Sequence, residues 1–360
     1  MAESIYRVGD TSDRPLPAIN PEAPPIIQAL RYGVTAPSAH NTQPWRIEIA
    51  SATKARLFFD PDRMLPETDP PGRQVHISHG TLLEMTAIAA TTIGYRAEIE
   101  ILPEGDMSIP EFGTKPTGVV QLLKEPGIQV DALFKRVLHR RTSRLLHEGP
   151  PLAADERRWI AEAAQCEGIE IGWVPDALLD RMRDIVSQAM AIEMNDRELF
   201  DETRIWWRFS DREISEKGDG LHFDTSGLTG VSLLLSRWLM GHRNWHAGYS
   251  RDSYIKRFGS SARSTRALLT LITRTNTMRD WIKTGRAYLR AQLAADELGL
   301  RFQPVSQVLQ EYPQMNDLRR EVEQLLGVAE PAKLQMLVRV GRTKQPGLSP
   351  RRGLASIIRS

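Results

Sequence analysis

Two stretches of this 360-residue chain repeat each other at an offset of 205 positions. Gly80 and Gly94 lie 14 residues apart, and so do Gly285 and Gly299. Small and apolar residues recur at matching places inside the two stretches: Ile88, Ala89, Ala90 and Ile93 match Leu293, Ala294, Ala295 and Leu298, and Arg96 matches Arg301. A repeat of this kind indicates two structural units of similar design. We therefore expect two similar halves.

Hydrophobic periodicity places helices and strands around these stretches. Residues 75–93 and 285–298 have little polar surface, which is typical of a helix buried between layers. Alternating or short apolar runs predict strands, at residues 45–49, 95–102, 118–123, 169–174 and 334–340. Further helices are expected at residues 26–35, 130–138 and 153–164. The pattern predicts an α+β fold in which each half packs a mainly antiparallel sheet against helices.

The two halves differ in length. Ala36 to Gly94 spans 58 positions, whereas Ala164 to Gly299 spans 135, so the second half carries about 77 additional residues. We place them in a helical insert at about residues 190–280, which contains five of the tryptophans: Trp206, Trp207, Trp238, Trp245 and Trp281. Aromatic and basic residues together are also found on RNA-binding surfaces, but tryptophans at this density favour packing within a lid over a neighbouring pocket.

Composition limits the partners. The net charge is +2, from 47 basic and 45 acidic residues, so we expect no nucleic-acid partner. The single cysteine, Cys166, excludes an intrachain disulfide and fits a reducing compartment. Residues 1–17 are polar, and no apolar run approaches the ~20 residues of a membrane span. We expect a cytoplasmic protein without a membrane partner.

Hydrogen-bonding groups are concentrated in the loop between Pro37 and Pro44. The two prolines limit the conformations of this loop. Its polar members are Ser38, His40, Asn41, Thr42 and Gln43. Such a loop suits a polar, planar ligand, although an ordinary helix-to-strand loop has a similar composition.

Two later segments and the tail carry further candidates. Residues 139–144 place three guanidinium groups and two hydroxyls within six positions, which suits a phosphate monoester or a solvated basic turn. Residues 303–307 follow the second buried helix, and Ser306 there could simply cap the next helical turn. The tail, residues 348–354, is again basic.

These segments together resemble the nitroreductase-like flavoproteins, and specifically their Acg-type branch, single-chain duplicated proteins known from actinobacteria. The resemblance covers most of residues 26–355. It implies an FMN site between the two halves, beneath a lid. By resemblance, the cofactor-binding residues are Pro37, Ser38, Ala39, Asn41 and Gln43 at the flavin; Arg140, Arg141, Thr142 and Arg144 at the phosphate and ribityl chain; Pro304, Val305, Ser306 and Gln307 at the ring edge; and Arg351 and Arg352 at the phosphate.

The resemblance also suggests an organisation. We expect an extended arm at residues 1–25, a first half at 26–129, a second half at 130–345 with the insert, and a tail at 346–360 that closes on the flavin. The loop with Pro37 occurs only in the first half and the arginine cluster Arg140–Arg144 only in the second. One complete site, and therefore one FMN per chain, is expected. A monomer can form this site, and dimerisation stays open.

Two functions follow from such a site. The first is an oxidoreductase that passes a hydride from NAD(P)H to FMN and then electrons to a small-molecule acceptor such as a nitroaromatic compound or a quinone. The second is a protein that sequesters FMN and turns over little. Neither needs a catalytic side chain. No metal is expected, because His242 and His246 have helical ligand spacing but lack a third ligand.

Overall fold

The strands form two separate four-stranded antiparallel sheets. The computed structural model describes residues 13–16, 20–241, 245–246 and 248–359. The first sheet contains β1 (Trp45–Ser51), β2 (Lys54–Phe59), β3 (Tyr95–Ile101) and β4 (Gly118–Lys124). The second contains β5 (Ile169–Trp173), β6 (Ala267–Thr273), β7 (Leu300–Pro304) and β8 (Lys333–Arg342). The predicted α+β class is confirmed.

The two sheets have the same strand order. The first runs β1-β2-β4-β3 and the second β5-β6-β8-β7, with every neighbouring pair antiparallel. Counted along the chain, the longest helix of each half lies between the second and the third strand of that half. This is the arrangement that the sequence repeat predicts.

The helices of the described residues surround and separate the sheets. They are α1 (Pro25–Gly33), α2 (Arg73–Ala90), α3 (Ala154–Ala163), α4 (Leu179–Asn195), α5 (Arg197–Ile205), α6 (Asp211–Lys217), α7 (Gly230–Leu239), α8 (Gly248–Arg263), α9 (Met278–Glu297) and α10 (Asn316–Leu325). The predicted helix at residues 130–138 is a 3₁₀ helix, Ala132–Arg136. None of these helices is long and apolar enough to cross a membrane.

Helices α2 and α9 cross at the two repeated glycines. A Cβ atom on Gly80 would lie 2.0 Å from the carbonyl oxygen of Ile282, and one on Gly285 would lie 1.9 Å from that of Ile77. Any side chain would therefore push the backbones apart. Leu289 and Leu293 of α9 join the apolar core of the first half, so the two halves share one interior. The prediction that these buried helices meet is confirmed.

The insert lies between β5 and β6, and its predicted limits were wrong. It occupies residues 174–266 rather than about 190–280, because residues 267–273 form β6 and α9 begins at Met278. Residues 267–273 are a nearly continuous apolar run, Ala-Leu-Leu-Thr-Leu-Ile-Thr, which is typical of a strand buried on both faces. Trp281 therefore belongs to α9; of the four tryptophans within the insert, Trp206, Trp207 and Trp245 are buried, as expected of packing residues, but Trp238 is 81% exposed.

The C-terminal tail crosses to the first half, and the arginine cluster lies beside the second sheet. Ser143 donates from its backbone to the carbonyl of Phe302 over 3.0 Å, which places the arginine cluster beside the end of β7. At the other end, Ile47 donates to the carbonyl of Ile357 over 3.0 Å, so the C-terminal tail lies along β1 of the first half. Segments distant in the sequence therefore meet between the sheets.

Candidate functional site

A large polar cavity lies where these segments meet. Its empty space, including the part open to solvent, is about 1170 Å³. Eleven of the residues predicted from the sequence line it: Pro37, Ser38, Ala39, Asn41, Arg140, Thr142, Arg144, Pro304, Ser306, Gln307 and Arg351. The loop of the first half, the arginine cluster of the second half and the tail are thus brought to one place.

The loop that follows α1 is held in an unusual backbone conformation. His40, Asn41 and Gln43 have φ angles of 45°, 55° and 51°, which residues other than glycine rarely adopt. The loop is fixed to α2, because Thr81 Oγ1 donates to the carbonyl of Pro37 over 2.6 Å and the backbone of Ala39 donates to Ser78 Oγ over 3.1 Å. Strain of this kind is concentrated at functional sites.

Positive charge is collected at one part of the cavity. Among the described residues, the lining holds the guanidinium groups of Arg140, Arg144 and Arg351 and no carboxylate. These groups donate to neutral acceptors: Arg140 to Gln292 Oε1 (3.2 Å), Arg144 to the carbonyl of Thr225 (3.0 Å) and Arg351 to Asn41 Oδ1 (2.8 Å).

Burial and repulsion between neighbouring guanidinium groups lower the pKa values at this site. Burial, with the neighbouring charges of Arg14 and Arg140, holds the pKa of Arg351 well below its usual value. Burial and the charges of Arg140 and Arg141 lower the pKa of Arg14 to about 9. A bound anion would offset both burial and repulsion, so the site is suited to a phosphate group.

Several polar atoms on the cavity wall are buried without a partner. Within the described residues, no donor or acceptor reaches Arg140 Nε, His40 Nδ1, Ser306 Oγ or Gln307 Oε1. Leaving such atoms unsatisfied costs about 1–3 kcal/mol each. Donors and acceptors on several sides therefore fit a ligand that carries both an anionic group and a polar ring, as FMN does.

His40 cannot serve as a cation at neutral pH. Burial and the nearby charge of Arg144 lower the pKa of its imidazole to about 4. With no carboxylate in the described lining, the cavity offers no evident side chain for general acid–base chemistry near neutrality. Chemistry here depends on what the cavity binds.

The insert covers the cavity through residues 218–227, the crossing segment. Asn41 Nδ2 donates to the carbonyl of Gly220 over 3.1 Å, and Gln43 Nε2 donates to that of Gly218 over 2.8 Å. Asp219 accepts from Arg63 of the first half over 2.7 Å and from Arg208 of the insert over 2.6 Å. The insert is thus hydrogen-bonded to the strained loop between Pro37 and Pro44.

Four predicted residues lie outside the cavity lining. The Gln43 side chain bonds to the crossing segment and, through Oε1, accepts from the backbone of Arg352 over 2.8 Å. Val305 is fully buried in an apolar core. Arg141 donates to the carbonyl of His139 over 2.6 Å, and Arg352 lies in a separate surface cleft 3.7 Å from Asp60. These positions support the site rather than face it.

Other lining residues were not expected from the sequence. Tyr288 from α9 and four glutamines, Gln74, Gln303, Gln310 and Gln335, join the wall. The buried Arg339 donates to Gln303 Oε1, so the amide nitrogen of Gln303 is left as the group for other contacts. Arg14, from the predicted arm, donates to the carbonyl of Ser349 over 2.8 Å beside the arginines. Nothing local in the sequence distinguishes these residues.

No family model matches this chain. Its curated relatives include a Mycobacterium tuberculosis protein named "Putative NAD(P)H nitroreductase Rv3131", with 33% identity over 187 residues, or 52% of each chain. The chain is similar to nitroreductases of the Acg type. It is 33% identical over 128 residues to the M. tuberculosis protein named "Putative NAD(P)H nitroreductase acg", covering 35% of this chain and 37% of that one. The chain spans about half the length, or less, of the curated relatives that it matches.

Solved structures with a distant likeness include nitroreductases and an iodotyrosine deiodinase. One is the FMN- and NADPH-dependent nitroreductase NfnB of a Sphingopyxis strain, 14% identical, with a TM-score of 0.42 over 64% of this chain and 99% of that one. Another is an FMN-bound nitroreductase from Bacteroides fragilis, 14% identical, with a TM-score of 0.36 over 62% and 94% of the two chains.

Proposed function

We propose that the chain is an FMN-dependent oxidoreductase of the nitroreductase type, built as an internally duplicated pseudo-dimer with one FMN site between its halves. The observation that carries this proposal is the cavity lined by Arg140, Arg144 and Arg351 without a carboxylate among the described residues. The similarity to proteins named as NAD(P)H nitroreductases supports the choice of a nicotinamide donor.

Each wall of the cavity has its own role in this proposal. The three lining arginines, with Arg14 beside them, would hold the phosphate through charge-assisted hydrogen bonds. Ser38, Ser306 and Gln307 would satisfy polar atoms of the ring system, and Ser306 Oγ and Gln307 Oε1 have no partner among the described residues. When bound, FMN supplies the hydride and electron chemistry.

The remaining residues of the site would position the ring and exclude water. The strained loop, fixed to α2 by Ser78 and Thr81, sets the place of the first-half wall. The crossing segment covers the opposite side and limits entry from solvent. No side chain of the described lining has to donate or accept a proton at neutral pH, which agrees with a neutral His40.

The closed crossing segment favours a second candidate function. Asn41, Gln43 and Arg63 all hold this segment over the cavity. A cover held in this way could exclude the nicotinamide donor and leave a protein that sequesters FMN. The two functions use the same cofactor contacts and differ in access.

Anaerobic mixing of the FMN-loaded protein with NADPH separates these candidates. An oxidoreductase bleaches the visible absorbance band of oxidised flavin within the mixing experiment, and a nitroaromatic compound or quinone then restores it. A sequestering protein keeps the band unchanged, although free FMN released by denaturation remains reducible by a chemical reductant. Protein that retains no FMN after saturation and desalting would contradict both functions.

The number of cofactors tests the proposed pseudo-dimer. The counterpart of the Pro37 loop in the second half is the short turn at Cys166, where the backbone of Ile169 donates to the carbonyl of Cys166 over 3.0 Å. That turn supplies neither the prolines nor the polar side chains of the first loop. We expect one FMN per chain from the flavin absorbance of denatured, saturated protein, and a ratio near two would contradict the proposal.

A further inference from the structure

A second cavity lies inside the insert, separate from the site between the halves. Its empty space, including the mouth, is about 800 Å³, and it is lined mainly by apolar and aromatic side chains from α5, α7 and α8. Phe200 stacks on Trp245 with ring centroids 4.6 Å apart, and Trp207 lies 5.7 Å from Trp245. These rings give the cavity a mostly apolar wall.

One charged group faces this apolar space. Arg257 of α8 is the single charged residue in the cavity lining among the described residues. No hydrogen bond or ion pair from the described part of the chain reaches its guanidinium, which lies 5.0 Å from the ring centroid of Tyr254. Burial lowers the pKa of Arg257. A partly buried cation without a counter-ion is costly, and an anion from outside would offset this cost.

The combination of one cation and apolar walls specifies the chemistry of a ligand. Phosphate esters usually meet several cationic groups, as at the other cavity, whereas a carboxylate pairs well with one guanidinium. The apolar walls would bury the rest of such a molecule, at a gain of about 25 cal/mol per Å². A monocarboxylic acid with an apolar chain or ring matches both features.

We propose that the insert cavity binds an apolar monocarboxylic acid, with its carboxylate on Arg257 and its chain or ring among Phe200, Trp207 and Trp245. This proposal does not depend on FMN binding at the other cavity. Its functional interest comes from the wall between the two cavities. Leu221 and Thr225 of the crossing segment line the site between the halves, while Phe223 lines the insert cavity. A ligand here would therefore contact the cover of the first site.

The test uses the full-length protein and cis-parinaric acid, a fluorescent fatty acid. Trp207 and Trp245 line the cavity, so tryptophan excitation should sensitise the emission of the bound probe and give a saturable titration. Displacement by decanoate and by 1-naphthoate distinguishes a chain-like from a ring-like ligand, and displacement by either supports the proposal. Decanol, which lacks the carboxylate, should compete at least ~10-fold more weakly than decanoate.

Variants of one helix locate the carboxylate. Arg257→Met should weaken parinaric acid binding by ~10-fold or more, since a charge-assisted hydrogen bond is lost. Arg257→Lys should bind within ~3-fold of the parent, because the charge is kept. Arg263→Met, at the exposed end of the same helix, is the matched control and should bind like the parent. Absence of saturable binding, equal affinities for decanoate and decanol, or unchanged affinity in a folded Arg257→Met protein would overturn the proposal.

Discussion

In the first half of the chain two residues join β1 to β2, whereas in the second half 93 residues, 174–266, separate β5 from β6. The strand orders of the two sheets are nevertheless the same. The loop between the first helix and the first strand is longer in the first half. There it is the strained Pro37–Pro44 loop, whereas the second half has a short turn at Cys166. The two halves have the same strand order, and the candidate site combines residues of the shared helices α2 and α9 with the Pro37 loop, the arginine cluster and the insert, which have no counterpart in the other half.

The shared framework should be most sensitive at the helix crossing. Gly80→Val and Gly285→Val each place a side chain against a backbone carbonyl about 2 Å away. We expect each to destabilise the protein by more than ~3 kcal/mol, since overpacking against backbone cannot be relieved by a side-chain movement. Denaturant unfolding measures the effect. Gly353→Ala, where a Cβ meets nothing within 4 Å, is the control. A large loss of unfolding free energy at only one of the two crossing glycines would contradict the equivalence of the two halves.

The same helices differ in their response to pH. His76 and His79 of α2 correspond to Trp281 and Thr284 of α9, at the offset of 205. Burial lowers the pKa of His79 to about 3, so between pH 6 and 4 the unfolded chain binds a proton there that the folded chain does not. Stability should fall with decreasing pH by ~1.4 kcal/mol per unit from this group.

The substitution His79→Gln removes this contribution. Unfolding curves at several pH values should show the parent losing stability faster than the variant between pH 6 and 4. At pH 8 the variant is expected to be the less stable protein, because His79 lies 2.8 Å from the Pro44 carbonyl and 2.7 Å from Thr117 Oγ1. Parallel pH profiles for the two proteins would contradict a neutral, buried His79.

The arginine cluster of the second half can be divided by its geometry. Arg140 lines the cavity, whereas Arg141 is directed at the His139 carbonyl. We expect Arg140→Met to weaken FMN binding by ~10- to 100-fold, and Arg141→Met by less than ~3-fold. Quenching of flavin fluorescence on binding gives both affinities. Equal losses would mean that the phosphate contacts were assigned to the wrong arginine.

The smallest effect is expected at the connection between the insert and the first half. Asp219→Asn weakens the ion pairs to Arg63 and Arg208 and should loosen the cover, so flavin reduction by NADPH should become several-fold faster, about 1 kcal/mol in activation free energy. FMN affinity should stay the same. Asp224→Asn is the control, because Asp224 pairs with Arg237 inside the insert. An unchanged rate in a folded Asp219→Asn protein would mean that the ion pairs of Asp219 do not control the access of NADPH to the flavin.

Local sequence signals were sufficient for much of the framework. The alternation at residues 95–102 and the apolar pattern at residues 75–93 predicted β3 (Tyr95–Ile101) and α2 (Arg73–Ala90) to within a few residues. Strands β2, β6 and β7 were missed. The apolar run of β6 has no alternation, so a buried strand could not be told from a helix by periodicity, and this also misplaced the end of the insert.

The sequence predicted the site residues that lie in segments rich in polar side chains. It missed the residues that only the folded structure brings to the cavity. Residues 37–43 and 140–144 carry many polar groups close together, and most of them reach the cavity. Arg14 is an ordinary residue in its own segment. Its place beside the site arises from a contact between segments hundreds of residues apart, that of Arg14 with Ser349. No local pattern encodes such a contact.

The insert begins and ends at hydrogen-bonded neighbours, since the backbone of Val174 donates to the carbonyl of Leu268 over 2.9 Å. The 93 residues of the insert therefore occupy the position that a hairpin turn occupies between β1 and β2. The entropy of closing a loop rises only slowly with its length, so residues can be added here at little entropic cost. Helices α4 and α8 share an apolar core with Leu268 and Leu337 of the sheet and belong to the frame, so the segments between them are where the residues that reach the cavity can change.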